Sequence, residues 1–300
     1  MTSVHRKSVS ADETKHVPEL STLDFHRLSG LIRAHSGISI SPDKAIILAS
    51  RLRPLLREKG YRRFEDFVGD ILQDPSEEQL GHLIDRVATN YTYFFREREH
   101  FDYLQHQALP EISERLHRER NTDLRIWSAA CSTGAEAYSI RMVLGEFFGE
   151  HYDEWQAGVL ATDISSTALS AAATAEYSIR AVSRLPLPLR TRYFERVDNS
   201  SPEETFRFRE EYKKDVILRR LNLHCAEVPF RQRMHVVFCR NVLMYFDSAG
   251  KAFLESRMYD LLEEDGLLVI GLTEALQSGD SLFEHVEHGV FRKKRSARTP

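Results

Sequence analysis

From about residue 124 the chain alternates short apolar runs with amphipathic segments, and this alternation constrains the fold more than any other feature. Leu124-Arg125-Ile126-Trp127-Ser128-Ala129 reads as a strand, followed by a Gly-containing turn and a helix from Ala135 to Phe148. Gly158-Val159-Leu160-Ala161-Thr162 is a second strand ending in Asp163, with a Ser-capped helix behind it. His235-Val236-Val237-Phe238-Cys239 reads as a third, buried strand. A helix over about 248–262 leads to a fourth, Gly266-Leu267-Leu268-Val269-Ile270. Strands and helices in turn predict an α/β domain with a mostly parallel sheet over 124–300. Residues 204–223 interrupt the pattern. There Phe206, Phe208, Val216, Ile217 and Leu218 predict short strands inserted as a small antiparallel β-subdomain at about 195–225.

Residues 21–88 read as all-helical. Leu23, Phe25, Leu28, Leu31 and Ile32 recur at helical spacing. Ser41-Pro42-Asp43 is a helix start, with a capping Ser, a first-turn Pro and an Asp suited to the positive dipole end. That helix runs through Ile46, Ile47, Leu52, Leu55 and Leu56 and stops at Gly60. Phe64, Phe67, Ile71 and Leu72 mark a third helix, and residues 77–87 a fourth. A linker and a long helix to about Pro110 fill 89–123.

Composition excludes several classes. At 42% hydrophobic and 29% charged residues the chain buries a proper core. A net charge of −4 gives no global field for nucleic acid. No apolar run approaches the roughly 18 residues that span a bilayer, and the first twenty residues, a predicted solvated tail, lack the apolar centre of a signal peptide. Cys131, Cys225 and Cys239 are widely spaced and form no CxxC pair, so neither a disulfide framework nor a metal site is expected, and a cytoplasmic location fits. The histidines are scattered and read as surface or packing residues, and Arg292-Lys293-Lys294-Arg295 as a solvated tail.

Chemistry is expected beyond the C-terminal strand ends, where ligands bind in open α/β sheets. Three such ends carry it. After the first strand, Ala129-Ala130-Cys131-Ser132-Thr133-Gly134-Ala135-Glu136 offers small residues and a helix N-terminus to an anionic group. Neither GxGxxG nor a GKS/GKT loop is present, so phosphates are poorly served. Asp163 is placed to accept both hydroxyls of a ribose, the competing reading being a helix cap. Arg240 and Asn241 follow a buried strand, where polar groups are costly unless they bind something or each other. Asp247 reads as a cap of the following helix. A ribose-binding carboxylate, a carboxylate-binding loop and no phosphate cradle together suggest S-adenosylmethionine.

The segment Thr89-Asn90-Tyr91-Thr92-Tyr93-Phe94-Phe95-Arg96-Glu97 fits neither helical nor strand periodicity. It reads either as an aromatic knot packing two domains or as a lining. Taken with the later runs SAACSTGAEAYSI, ATDIS, YSIRAVSRLP, LNL, FCRNVLMYFD and GLTEAL, in this order from about residue 22 to 294, it resembles the CheR-type chemoreceptor methyltransferases. The resemblance implies a helical N-terminal domain joined to a class I methyltransferase domain with an inserted β-subdomain. It also implies S-adenosylmethionine-dependent esterification of glutamate side chains on the cytoplasmic helices of chemotaxis receptors. Carried over, it puts Asn90, Thr92 and Arg96 around the cofactor and reaction centre and Glu136 by the methionine end. Asp163 then holds the ribose, Asn222 and Leu223 lie beside the adenine, Arg240 and Asn241 line the pocket, and Tyr245 stands near the transferred methyl. Two elements depart from the pattern. The first loop, usually GEEPYS, has Ala135 and Ala137, and the GHSE-like element has Leu272 in place of its histidine.

Arg96 and Tyr245 are the expected catalytic pair, against a competing structural salt link from Arg96 to Glu97 or an Asp. Arg51, Arg53, Arg57 and Lys59, with Arg62 and Arg63, form a basic run whose plain reading is a solvated face. Since receptor bundles of this system are acidic around the methylated sites, a docking face is the sharper reading. The polar, glycine-free stretch at residues 197–202 argues against docking of a receptor tail peptide on the β-subdomain. A monomer is expected. Two alternatives stay open: a methyltransferase of the same build acting on a small molecule, and a non-catalytic module that binds S-adenosylmethionine or its product. The basic helix favours an open groove over the first, and the intact Arg96 and Tyr245 oppose the second.

Overall fold

The computed structural model describes residues 19–197, 203–225, 227–230, 232–277 and 282–295. Residues 1–18 of the expected tail and 198–202 of the polar insert lie outside the described residues.

The helical domain consists of α1 (Thr22–Ser36), α2 (Ala45–Glu58), α3 (Phe64–Gln73) and α4 (Glu77–Val87). Ser21 caps α1 by accepting the Asp24 N–H at 3.1 Å, and Ser76 caps α4 by accepting that of Gln79 at 3.2 Å. Ser41 makes no such cap. A 3₁₀ turn, Pro42–Lys44, precedes α2 instead. Phe25, Leu28, Ile32, Leu52, Leu56 and Phe64 form the core of this domain. Four residues counted on the apolar stripe are exposed: Leu23, Ile46, Ile47 and Leu72. Ile46 and Ile47 sit in the first turn of α2, before its buried stripe begins at Leu48.

The helix after Arg96 is longer than expected and irregular. It runs as α5 (Arg98–Tyr103), a π-helical stretch Leu104–Ala108, and α6 (Leu109–Arg118). The strands are β1 (Asp123–Ser128), β2 (Gln156–Asp163), β3 (Glu176–Ser178), β4 (Phe194–Val197), β5 (Thr205–Phe208), β6 (Val216–Arg220), β7 (Met234–Phe238), β8 (Leu262–Val269), β9 (Phe283–Glu287) and β10 (Val290–Lys293). The main sheet has the order β6-β2-β1-β7-β8-β10-β9. The first five in that order are parallel, β10 runs antiparallel to β8, and β9 runs antiparallel to β10. Between β1 and β2 lies α7 (Ala135–Phe148), and α8 (Ser166–Thr174) follows β2.

The two-residue period of the strands sorts the core. Ile126, Val236, Phe238, Leu267 and Val269 face one layer, while Trp127, Val237, Cys239, Leu268 and Ile270 face the other. From β1 the chain winds outward to β2 and β6, then returns to β7 on the other side of β1. The strand order therefore reverses between β1 and β7, and the crevice beyond their C-terminal ends is the ligand position of such sheets.

Two sequence expectations are corrected by pairing. Val216, Ile217 and Leu218 are not in the β-subdomain; they form β6, paired in parallel with β2 at the sheet edge. The subdomain sheet is β3-β5-β4, so it recruits Glu176–Ser178 from well upstream of 195. The basic end is not a solvated tail either. Arg292 makes a two-pronged ion pair with Glu111 (2.6 and 2.8 Å), Lys293 is buried with its Nζ donating to the Leu262 carbonyl at 2.9 Å, and Arg295 pairs with Asp265. Short apolar strands such as β9 and β10, interleaved with charge, have no periodicity strong enough to stand out. Among the described residues no helix is long and apolar enough to cross a membrane.

Candidate active site

The turn after β1 opens the site. The Ala129 N–H donates to the Phe238 carbonyl at 2.8 Å and that of Cys131 to Thr162 at 2.9 Å, so the strand ends stay zipped to the rim. Ser132 then takes a left-handed conformation (φ 51°), and its N–H donates to Asp163 Oδ2 at 2.8 Å. Gly134 follows with φ 89°, and a Cβ there would lie 2.8 Å from the Tyr138 ring and 3.0 Å from Ala172. Only glycine meets both demands. Asp163 is not the helix cap. Ser165 caps α8 by accepting the Ala168 N–H, while Asp163 accepts N–H groups from both Ser132 and Ser165. Burial pushes the Asp163 carboxyl up, partly countered by these backbone donors.

Arg240 is the electrostatic centre. Its side chain is 1% exposed and donates from Nη1 to Glu136 Oε2 (2.9 Å) and from Nη2 to Glu97 Oε2 (3.1 Å) and the Arg96 carbonyl. Burial raises the Glu136 carboxyl against the opposing pull of Arg240 and of the Ser128 hydroxyl, which donates to it at 2.7 Å. Burial also works against ionised Glu97, but Asn241, Arg240 and the Leu272 N–H outweigh it and hold that carboxyl below its usual range. Two carboxylates share one buried cation.

Asn241 also adopts a left-handed backbone (φ 56°). Its N–H donates to Glu274 Oε2 at 2.7 Å, and its side-chain amide to Glu97 Oε1 at 3.0 Å. Glu274 Oε2 also accepts the Gly271 N–H at 2.8 Å. A Cβ on Gly271 would stand 2.5 Å from Asn241 Nδ2 and 2.9 Å from Glu274 Oε2, so a side chain there would push these groups out of place. Leu272 contributes its backbone N–H to Glu97 at 3.1 Å.

Arg96 lies half-buried at the cleft, its Nη1 donating to the Tyr91 carbonyl at 2.9 Å and its guanidinium 5.7 Å from the Tyr91 ring centre. The salt link to Glu97 is absent. Glu97 has φ 56°, which turns its carboxylate away to Arg240. The aromatic segment divides: Phe94 packs edge-on to Tyr177 (4.7 Å) and Phe194 (5.3 Å) within the catalytic domain rather than against the helical one, and Asn90, Tyr91, Thr92 and Arg96 line the cleft.

Asn90, Thr92, Arg96, Glu136, Asp163, Asn222, Leu223, Arg240, Asn241 and Tyr245 all converge on one cleft. Sequence reasoning missed the supporting carboxylates Glu97 and Glu274, the loop residue Ser132, and Ser36 and Ile38 from the helical domain. Glu97 was legible only as a neighbour of Arg96, and the long-range partners of Glu274 leave no local signal. Of the basic run, Arg57 and Lys59 are exposed, while Arg51 turns inward to the Val87 carbonyl and to Thr89 Oγ1 (3.0 Å), and Arg53 is half-buried. Arg63 pairs with Glu65. His235 is a buried packing residue whose Nδ1 accepts the Arg125 N–H at 3.1 Å; burial lowers it to about 4. Asp247 caps helix Ser248–Leu261 through the Gly250 N–H at 2.8 Å.

The lining combines apolar side chains (Ile164, Leu221, Leu223, Val242, Phe246) with the charged Arg96, Glu136, Asp163 and Arg240. That mixture suits a nucleoside bearing an amino-acid tail. A cleft of this kind at the reversal point of a doubly wound sheet, without a phosphate loop, defines a class I S-adenosylmethionine-dependent methyltransferase. Residues 90–291 match the family described as CheR methyltransferase, SAM binding domain, and residues 23–88 match CheR methyltransferase, all-alpha domain. The chain belongs to the CheR methyltransferase family. It is 34% identical to the chemotaxis protein methyltransferase of Borreliella burgdorferi, over 90% of this chain and 94% of that one. It is 33% identical to chemotaxis protein methyltransferase 2 of Pseudomonas aeruginosa (89% and 92% covered) and 33% identical to that of Escherichia coli (85% of each).

Proposed function

We propose that this methyltransferase esterifies glutamate side chains on the cytoplasmic helical region of chemoreceptors, acting as a cytoplasmic monomer. The observation that carries the reading is Arg96. It lines the cleft, as does Tyr245, and among the described residues it forms no ion pair, so its charge is free to meet an incoming carboxylate. S-adenosylmethionine, when bound, supplies a methyl group on a positively charged sulfur, and its transfer to a carboxylate oxygen leaves a neutral thioether and a neutral ester.

A glutamate side chain with a pKa of about 4.3 is already ionised near pH 7, so no residue need act as general base. The task of the chain is positioning. Arg96 holds the acceptor carboxylate, and Tyr245 orients it. Asp163 holds the ribose, Asn222 and Leu223 flank the base, and Asn90, Thr92, Glu136, Arg240 and Asn241 complete the cofactor site. Charge disappears as the reaction proceeds, so a cleft that excludes water favours it. The exposed Arg57 and Lys59 of the α2 region supply a basic docking face for an acidic receptor helix.

The test is transfer of labelled methyl groups to receptor-containing membranes, scored as base-labile esters on Glu. Arg96→Ala is expected to lower turnover at least about a hundredfold with folding unchanged. Turnover near wild type overturns the assignment. Labelling of a small molecule in place of the receptor would favour the alternative acceptor.

A further inference from the structure

A row of cations and rings leads out of the cleft. The Arg96 guanidinium lies 5.7 Å from the centre of the Tyr91 ring, and the Tyr91 and Tyr93 rings meet edge-on at 6.0 Å. The Arg184 guanidinium lies 5.8 Å from the centre of the Tyr93 ring. Two arginines therefore bracket two tyrosines, each cation within the about 6 Å over which a ring face attracts it. Tyr91 is 69% exposed, Tyr93 is half-buried and Arg184 is exposed. Arg96 and Tyr91 line the cleft, whereas Tyr93 and Arg184 lie outside its lining.

Fixed parts hold the row. Phe94, buried between Tyr93 and Phe95 in the chain, packs on Tyr177 and Phe194, and the Tyr177 hydroxyl donates to the Thr133 carbonyl at 2.7 Å. Arg184 sits in a turn after the short helix Ile179–Val182, flanked by buried Val182 and Leu185. In that turn the Ser183 N–H donates to the Ile179 carbonyl at 2.8 Å and the Leu185 N–H to the Val182 carbonyl at 3.0 Å. Charge singles out the same two arginines. Arg180, Arg192, Arg196 and Arg207 pair with Glu203, Glu146, Glu204 and Glu176. Among the described residues Arg96 and Arg184 face rings and pair with no acid.

We infer that Tyr93 and Arg184 select the acceptor: its segment lies across the Tyr91 and Tyr93 rings, and Arg184 meets a second acidic side chain on it while Arg96 holds the glutamate that is methylated. The inference rests on the reading of Arg96 as the residue that meets the acceptor carboxylate. Exposed tyrosine and arginine on a rigid backbone are the side chains that contribute most at interfaces, since each offers a large contact area at low entropic cost. An unpaired Arg184 beside them favours an acidic partner and disfavours a basic one. The row also sets the size of the acceptor. A small molecule held at Arg96 stays within the cleft, whereas only a longer segment reaches past Tyr93 to Arg184.

The test is steady-state methylation of receptor-containing membranes by the full chain. Arg184→Glu is expected to raise KM for receptor about tenfold, with kcat and affinity for S-adenosylhomocysteine within about twofold of wild type. Tyr93→Leu is expected to raise the same KM about fivefold, and Tyr93→Phe, which keeps the ring, to stay within about twofold. A second arm reads the acceptor. Acidic residues within about two helical turns of the labelled glutamate are replaced by Lys one at a time. One replacement is expected to slow the wild-type enzyme and to be restored at least about threefold by Arg184→Glu, a coupling that a merely structural Arg184 would not produce. A receptor KM for Arg184→Glu within twofold of wild type overturns the inference, and so does the absence of any coupled acidic position. Receptor left unlabelled by the wild type refutes the acceptor reading on which the inference rests. Normal wild-type labelling with no effect of Arg184→Glu refutes only the role of the row.

Discussion

Replacing Arg240 with Met keeps much of the side-chain volume and removes the one cation shared by Glu97 and Glu136. The Arg240 side chain is 1% exposed, and those of the two acids are 15% and 12% exposed. Breaking a buried pair by deleting one partner costs about 3–5 kcal/mol, a large share of the about 5–15 kcal/mol by which folded domains are stable. At the usual denaturant dependence this lowers the urea midpoint by about 1–2 M at pH 8. The pH dependence carries the sharper signature. Burial already pushes the Glu136 carboxyl up, and Arg240 is the first opposing influence. Without Arg240 the folded-state value rises further above the unfolded one. A group shifted this way contributes stability below its unfolded value and loses it as pH rises through the folded value. The penalty of Arg240→Met relative to wild type is therefore greatest at pH 8 and shrinks toward pH 5. Urea unfolding of both proteins at both pH values measures it, and taking the difference cancels contributions that the two share. A penalty below about 1 kcal/mol at pH 8, or one that does not change with pH, refutes the charge argument.

Three further outcomes are expected. Burial lowers His100 and His235 to about 4 from the ordinary 6.5, so both rings stay neutral down to pH 5; each contributes stability above 6.5 that is lost as pH falls toward 4. Proton NMR titration tests this, and a midpoint above 6 for both rings would sink it. Gly271→Ala forces a Cβ against Asn241 Nδ2 and Glu274 Oε2, so affinity for S-adenosylhomocysteine should fall about tenfold or more while circular dichroism stays native; unchanged affinity in calorimetry contradicts the role of that loop. Arg57→Glu with Lys59→Glu should cut receptor methylation at low salt about tenfold without altering affinity for S-adenosylhomocysteine, and equal methylation rates at low and high salt in the wild type would count against the docking face.

Much of the fold was legible because burial writes a period into the sequence. The four-helix order, β1, β2, β7 and β8 all follow from 3.6- or 2-residue spacing. β6 was legible as a strand but not as a member of the main sheet, because an apolar triplet at an edge does not say which sheet it joins. β3 was missed because three residues carry no period. The aromatic segment shows the same division. Its composition signalled something other than a helix or strand, but only the left-handed turns at Phe95 and Glu97 separate the buried Phe94 from the cleft-facing Arg96. Arg51 and Arg53 counted as surface charge because sequence gives no sign that the Val87 carbonyl and Thr89 stand across from Arg51.

The sequence by itself determined the fold class, the strand ends where chemistry sits, and the family resemblance, since each depends on local spacing or contiguous motifs. Only the tertiary structure decided which charges meet. Glu97, Glu136 and Arg240 are separated by up to 143 positions, and Glu274 reaches Asn241 across 33. Ile38 comes to the cleft from another domain. Ion pairing and cavity closure depend on distance in space, which the chain acquires only when its strands are ordered and its two domains are docked.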